Sequence, residues 1–215
     1  MRQVNTFLLL LFISFHVFGQ ESVSRLSHTY TIKINNKSYV RILGRTNVST
    51  FECSYGSELS TATFQVGVFK GSNGATCFED AVIQLRTESF DCGLREMTKD
   101  FQELLEEEKH PYMTMEIQCM ASDLLDFSPD LQSKVKFTIA GISNFYNINF
   151  ETKTEDDKIL CIGKKEINIE DFNIIPPTKL FGLVKVHNTI TVVFHIILTL
   201  EEDTSMSAIS GLQGG

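Results

Sequence analysis

The strongest constraint on this chain is the alternation of apolar and polar residues in many short segments. Residues 30–34, 62–69, 113–119 and 135–139 place apolar side chains at every second position. Successive side chains of a strand point to opposite faces, so this period of two is typical of half-buried β-strands. Turn-forming residues separate the segments, and the chain therefore predicts about eight to ten short antiparallel strands.

Two connections between strands can be predicted from local signals. Residues 30–34 and 38–43 flank an Asn-Asn-Lys turn, which favours a hairpin between them. Residues 184–200 form the last long extended region, with a break near His187 and Asn188. Both features favour a meander of antiparallel strands.

Residues 94–108 depart from the strand pattern and predict a short helix. Apolar residues recur there at helical spacing with acidic residues opposite: Met97, Phe101, Leu104 and Leu105. Thr98 or Asp100 could cap its start, and His110-Pro111 ends it because the residue before a proline disfavours the helical region. An all-β chain with one short helix is typical of a closed antiparallel barrel or a sandwich.

The first nineteen residues are typical of an export signal. Arg2 gives a positive start, residues 7–13 are an apolar run too short to span a bilayer, and Gly19 suits a cleavage position. We expect cleavage after Gly19 or Gln20, which places the mature chain in the periplasm or outside the cell. An uncleaved anchor is the alternative.

One folded domain is expected after the signal, over residues 20–200, followed by a disordered tail over residues 201–215. No segment within it reaches the roughly 18 apolar residues that a membrane helix needs. The mature chain is therefore expected to lack an integral membrane span.

The charge of the chain argues against two classes of partner. The formal net charge is -8 at pH 7. Phosphate binding needs a basic stripe, and none is visible, so no nucleic acid is expected. The acidity of the chain as a whole also disfavours an anionic membrane surface.

The cysteines all follow the predicted signal: Cys53, Cys77, Cys92, Cys119 and Cys161. An oxidising compartment permits disulfides, and an odd number leaves at least one thiol unpaired or paired between chains. Cys53 and Cys92 are the favoured bridge because each follows a phenylalanine by two positions at an apparent strand end. The alternative is that all five are buried free thiols.

Motifs for catalysis or metal binding are not visible in the sequence. No histidine pair has metal-ligand spacing, and no nucleophile elbow, P-loop or dinucleotide fingerprint occurs. His195 lies among apolar residues, which favours a histidine of the barrel wall. We therefore predict no metal, no cofactor and no enzyme activity. An enzyme acting on a lipid would need His195 and a carboxylate to meet inside the barrel.

Three blocks of the chain carry further motifs: residues 92–101 followed by His110-Pro111, residues 135–144, and residues 169–177. These blocks resemble three motifs of the YceI-like polyisoprenoid-binding family. The first resembles its helix start followed by a His-Pro or Tyr-Pro, the second its G-x-L-T-I-x-G-V-T-K hairpin, and the third its D-F-G-I segment. The chain departs from the family at Lys99, where the family has Arg, and at Asn173, where it has the Gly of D-F-G-I. Its cysteines mark a divergent branch.

This resemblance implies a lipocalin-like extended barrel that holds a long isoprenoid-type lipid, or a related amphiphile such as a quinone, in its lumen. An apolar chain gains about 0.8 kcal/mol per buried CH₂, so an apolar tube suffices for binding. The sequence is compatible with a homodimer as well as with a monomer. The alternative function is a structural or adhesion domain with a filled core and no ligand.

Alternate positions of the strands supply the candidate ligand-binding residues of such a lumen: Phe64, Val66, Ile83, Leu85, Met115, Ile117, Phe137, Ile139, Ile148, Phe150 and Phe194. The apolar face of the helix is expected to form a lid or a floor, with Met97, Phe101 and Leu104 as its contact residues.

Overall fold

The computed structural model describes residues 27–56, 59, 63–71, 73–121, 130–179 and 182–203. The predicted export signal and residues 204–215 lie outside the described residues. The elements are, in chain order, β1 (Ser27–Ile34), β2 (Tyr39–Arg45), β3 (Thr50–Tyr55), β4 (Thr63–Lys70), β5 (Thr76–Glu79), β6 (Val82–Arg86), α1 (Arg95–Leu104), β7 (Tyr112–Met120), β8 (Asp130–Ile139), β9 (Ile142–Glu155), β10 (Lys158–Asn168), β11 (Thr178–Lys179), β12 (Val184–Lys185) and β13 (Thr189–Glu202).

Eight of these strands close into an antiparallel barrel. Each hydrogen-bonds to the next in the order β1-β4-β5-β7-β8-β9-β10-β13, and β13 pairs back with β1. β2 and β3 continue the sheet from β13, and β6 pairs with β7. Closure removes the exposed sheet edges that an open meander would have. The predicted fold, an antiparallel barrel with one short helix, is confirmed.

The long strand β13 organises one side of the barrel. One edge pairs with β10 from Thr189 to Thr199, while the other edge pairs with β1 near Leu198 and with β2 near Phe194. β1 and β2 therefore run in the same direction along β13, and the predicted hairpin between them is wrong. The turn between them stays on β13, because the Asn35 amide and the Ser38 hydroxyl both donate to the Ile197 carbonyl, at 2.8 and 3.2 Å.

Strand β13 also extends two residues past the predicted end of the domain at residue 200. Glu201 accepts a hydrogen bond from the Lys33 ammonium at 2.6 Å, and the Asp203 amide donates to the Thr29 carbonyl at 2.9 Å. Residues 201–203 of the predicted tail are thus part of the barrel wall, held by pairing with β1.

Helix α1 lies in the connection between β6 and β7 and is shorter than predicted. Leu94 is its N-cap and makes no side-chain cap hydrogen bond. The predicted cap Thr98 instead accepts a hydrogen bond from the Cys92 amide at 3.0 Å. The Phe101 ring packs on Phe90 with 5.3 Å between ring centres, so the apolar helix face covers the core beside β3.

Two disulfides tie neighbouring parts of the barrel. Cys53 in β3 is bonded to Cys92, just before α1, which is the pairing that the sequence favours. Cys77 in β5 is bonded to Cys119 in β7, its direct partner in the strand ladder. Cys161 is a free thiol. The alternative of five free thiols is therefore not what the structure shows.

Asn173 closes the short 3-10 turn Ile169–Phe172 in the left-handed region, with a φ of 58°. Glycine adopts this conformation without cost and asparagine tolerates it, whereas a β-branched side chain is strained there. We expect Asn173→Gly to keep stability within about 0.5 kcal/mol, and Asn173→Val to lose about 1–2 kcal/mol. Urea denaturation of both variants measures this. Equal stability of the two would contradict a left-handed Asn173.

Candidate functional site

The barrel encloses an apolar cavity in the half where β1 and β4 meet the end of β13. This upper cavity measures about 110 Å³. The described residues that line it come from nine strands and, at Ala81, from the β5–β6 connection: Ile32, Ile34, Phe64, Phe78, Ala81, Ile83, Met115, Ile117, Met120, Leu131, Ser133, Phe150, Ile159, Cys161, Ile196, Leu198 and Leu200. Ser133 is the one hydroxyl-bearing residue among them, so the cavity suits a hydrocarbon group.

A smaller apolar cavity of about 30 Å³ lies in the half of the barrel that holds α1. The residues lining this lower cavity are Val40, Ile42, Leu85, Phe90, Met113, Thr114, Met115, Phe137, Ile139, Ile167, Ile190, Val192 and Phe194. Met115 lines both cavities, so the two adjoin at its side chain.

A row of aromatic side chains runs from the upper cavity towards the lower end of the barrel. The ring centres of Phe150 and Phe194 lie 6.1 Å apart, and those of Phe194 and Phe137 lie 6.0 Å apart. Tyr146 continues the row at 5.8 Å from Phe137, and Phe172 follows at 6.2 Å from Tyr146. These five residues are the aromatic row, and its first member, Phe150, lines the upper cavity.

The position of Phe150 depends on the glycine opposite it. Gly163 of β10 is the direct ladder partner of Phe150 in β9. A Cβ atom at Gly163 would collide with the Phe150 ring. Glycine in a strand often marks such a close approach, and here it lets the ring lie flat against the wall below the upper cavity.

The structure distributes the predicted lumen residues over both halves. Those that line the upper cavity are Phe64, Ile83, Met115, Ile117 and Phe150. Those that line the lower cavity are Leu85, Met115, Phe137, Ile139 and Phe194. Val66 and Ile148 are fully buried but line neither of these two cavities. Their contact with a ligand stays a prediction.

The predicted helix residues pack on the core without reaching either of the two cavities. Met97, Phe101 and Leu104 are partly buried against the core cluster. Their role as a lid or a floor for a ligand stays a prediction.

Several lining residues were missed by the sequence analysis although their pattern was visible. Ile32 and Ile34 alternate in β1, and Leu198 and Leu200 continue the inward positions of β13 with the same period of two. Phe78 was missed for a different reason, because β5 has only four residues and gives too short a pattern.

Cys161 is a thiol in the wall of the upper cavity. Burial disfavours its charged form and raises the pKa of the thiol to about 11. The thiolate is the reactive form of cysteine, so this side chain is inert at neutral pH. It behaves there as a small apolar residue.

Slow alkylation of Cys161 is expected in the folded chain. At pH 8 its thiolate fraction should be about 100-fold below that of an ordinary cysteine, and the rate should climb with pH until about pH 11. Iodoacetamide labelling followed by intact-mass measurement tests this, with the chain unfolded in guanidinium and its disulfides intact as the control. Equal rates at pH 8 in the folded and unfolded chains would contradict the burial of the thiol.

A polar pair closes the lower end of the aromatic row. The Tyr146 hydroxyl donates to the Asp171 carboxylate at 2.8 Å. Burial, and secondarily the hydrogen bond to Asp171, raises the pKa of Tyr146 above its usual value. The phenol therefore keeps its proton and anchors the connection after β10 to strand β9.

His195 lies on the outer face of the barrel. Its ring stacks on Tyr39 with 4.7 Å between ring centres, while its neighbours Phe194 and Ile196 are buried in the core. His195 and a carboxylate therefore do not meet inside the lumen. Among the described residues, no cluster of three or more His, Cys, Asp or Glu side chains could hold a metal ion.

A closed antiparallel barrel of eight strands with an apolar cavity is the architecture of lipocalin-like proteins. Among the described residues, no helix is long and apolar enough to cross a membrane.

The architecture is similar to that of solved structures, of which two are described. BcnA of Burkholderia cenocepacia superposes with a TM-score of 0.55 and 15% identity, over 74% of this chain and 95% of BcnA. A polyisoprenoid-binding domain of Saccharophagus degradans superposes with a TM-score of 0.53 and 8% identity, over 80% of this chain and 98% of that domain. The chain thus has the YceI-like fold that its motifs predict. No protein-family profile matches the sequence, and neither does any curated protein.

Proposed function

We propose that this protein is an exported binding protein that holds an isoprenoid-type lipid, or a related amphiphile such as a quinone, in the lumen of its barrel. Transport, storage or sequestration of that lipid would be its role. The observation that carries the proposal is the upper cavity, about 110 Å³ of apolar space inside a closed barrel.

The chemistry of the cavity favours a hydrocarbon ligand. Each buried CH₂ group contributes about 0.8 kcal/mol, and no polar partner is needed for it. An apolar cavity of about 150 Å³ in another protein stays dry and binds benzene. The upper cavity has a similar size, so it suits a branched isoprene end better than a charged metabolite.

The comparison with known structures supports the same class of ligand. The Saccharophagus degradans domain with the same fold is described as polyisoprenoid-binding. At 8% identity the likeness is one of fold, so the ligand is transferred to this chain as a hypothesis, supported by the apolar lining.

Export of the protein is supported by two independent features. The first nineteen residues are typical of a signal. The two disulfides, Cys53–Cys92 and Cys77–Cys119, are of a kind that persists in the periplasm or outside the cell and is rare in the cytosol. We therefore propose a periplasmic or secreted location.

A filled structural barrel is the competing function, and the aromatic row favours it. Phe137, Phe172 and Phe194 are buried in the core, and the rings of Phe137 and Phe194 stack with 6.0 Å between their centres. A barrel of this size can be filled by side chains instead of a ligand. The two functions differ in whether the upper cavity is occupied in the native protein.

The test is lipid extraction and mass spectrometry of the protein purified from its own host, followed by uptake of added farnesol. A carrier should yield an apolar molecule and bind farnesol. Ala81 lines the upper cavity, so Ala81→Leu should fill the cavity and weaken farnesol binding by roughly tenfold or more. Ala75→Leu, the same change in the β4–β5 turn, is the matched control.

Cys161 supplies a second readout of occupancy. Bound farnesol should slow the alkylation of Cys161 further, because the thiol lines the same cavity. Protein that is always empty, takes up no farnesol and shows no protection of Cys161 would favour the filled structural barrel and refute the carrier.

A further inference from the structure

We propose that the aromatic row is a length stop, so that the site selects a short isoprenoid chain, or the end of a chain, over longer ones. This inference rests on the proposed function and specifies its ligand class. The structural basis is that the rings of Phe150 and Phe194 separate the upper cavity from the smaller lower cavity.

The stop follows from how the two cavities are separated. Phe150 lines the upper cavity and Phe194 the lower one, and their ring centres are 6.1 Å apart. Both side chains are almost fully buried, at 6% and 1% exposure. A chain entering the upper cavity meets these rings and cannot extend further without displacing them.

Phe194 is the central ring of this barrier. It contacts Phe150 on one side and Phe137 on the other, at 6.1 and 6.0 Å between ring centres. Close-packed interiors resist such displacement, because each ring in its rotamer is held by its neighbours. Met115, a flexible side chain, lines both cavities, and Phe194 lines the lower cavity with it. Shortening Phe194 should therefore join the two cavities past Met115.

The variant Phe194→Leu tests the stop with a graded series of prenyl alcohols. Geraniol, farnesol and geranylgeraniol contain two, three and four isoprene units. The affinity of the wild-type protein should stop rising along this series at farnesol or before it, because the upper cavity of about 110 Å³ ends at the rings. Phe194→Leu should bind geranylgeraniol roughly tenfold or more tightly than the wild type does, because an added unit then becomes buried.

Phe172→Leu is the matched control. Phe172 is also 1% exposed and belongs to the aromatic row, but it lies at the far end from the upper cavity. This variant suffers the same loss of ring volume and should leave the preference among the three alcohols unchanged. Phe150→Leu, which shortens the other ring of the barrier, replaces Phe194→Leu if the latter does not unfold cooperatively.

The outcomes separate this inference from the proposed function. A wild-type protein whose affinity keeps rising through geranylgeraniol, with no change in Phe194→Leu, would overturn the stop and leave the carrier intact. Failure of the wild type and all variants to bind any of the three alcohols would remove both proposals. A selective gain for geranylgeraniol in Phe194→Leu, absent in Phe172→Leu, would establish the stop.

Discussion

Phe137→Asp is expected to abolish cooperative folding of the barrel. Phe137 is 5% exposed and lies in the aromatic row between Phe194 and Tyr146. Losing a buried phenylalanine costs about 3–5 kcal/mol, and an unpaired buried carboxylate adds several more. The sum is comparable to the whole stability of a typical domain, about 5–15 kcal/mol.

The matched control for this variant is Phe145→Asp. Phe145 is in β9 next to the Phe137 strand, but it is 56% exposed on the outer face. The identical substitution there should cost less than about 1 kcal/mol, as most surface changes do. Thermal and urea unfolding, followed by near-ultraviolet circular dichroism, compares the two variants directly.

The pH dependence of Phe137→Asp gives a second check. Burial disfavours the charged carboxylate and would raise its pKa in any folded form. The penalty should therefore be smallest below about pH 4, where the carboxyl is protonated in both states, and should grow as the pH rises. A Phe137→Asp protein as stable as Phe145→Asp at pH 8 would refute the inward position of Phe137.

Loss of the Cys53–Cys92 disulfide should be the second large effect. The bridge closes a loop with a sequence separation of 39 residues. The chain-entropy relation then gives about 4 kcal/mol of stabilisation, lost in the double variant Cys53→Ala, Cys92→Ala. For a chain of this length the melting temperature should fall by about 8–16 °C.

The local consequence should be largest in the connection that contains α1. Besides the disulfide, the Ser54–Asp91 bridge and the Tyr55 hydroxyl link this region to β3. Hydrogen exchange of the α1 amides should therefore speed up in the double variant. Cys161→Ala, which removes the free thiol, is the control and should cost about 1 kcal/mol or less. Equal losses of stability in the double variant and in Cys161→Ala would contradict a stabilising Cys53–Cys92 bridge.

The comparison of sequence and structure shows where local patterns suffice. Alternation in β8 and β9 placed Val135, Phe137, Ile148 and Phe150 in the core, because the side-chain period of a strand is two whatever its partner. The same rule missed β5, whose four residues are too few to show a period. It also placed a hairpin between β1 and β2, because the turn at residue 36 favours a reversal locally.

The structure corrects that hairpin through long-range contacts. The Asn35 amide and the Ser38 hydroxyl donate hydrogen bonds to the Ile197 carbonyl, about 160 positions later in the chain. These bonds hold both strands against β13. Such pairing depends on which distant strand offers free backbone groups. A local turn signal carries no information about them.

By itself the sequence determined the strand content, the inward faces, the helix in the β6–β7 connection and a favoured cysteine pair. It did so because side-chain alternation, turn chemistry and helical spacing are local properties of the chain. Only the tertiary structure decided that β13 closes the barrel onto β1, and that the larger cavity lies above Phe150 and the smaller one below it. Those features depend on how side-chain volumes from eight separate strands add up at one level of the barrel, and no single segment contains that sum.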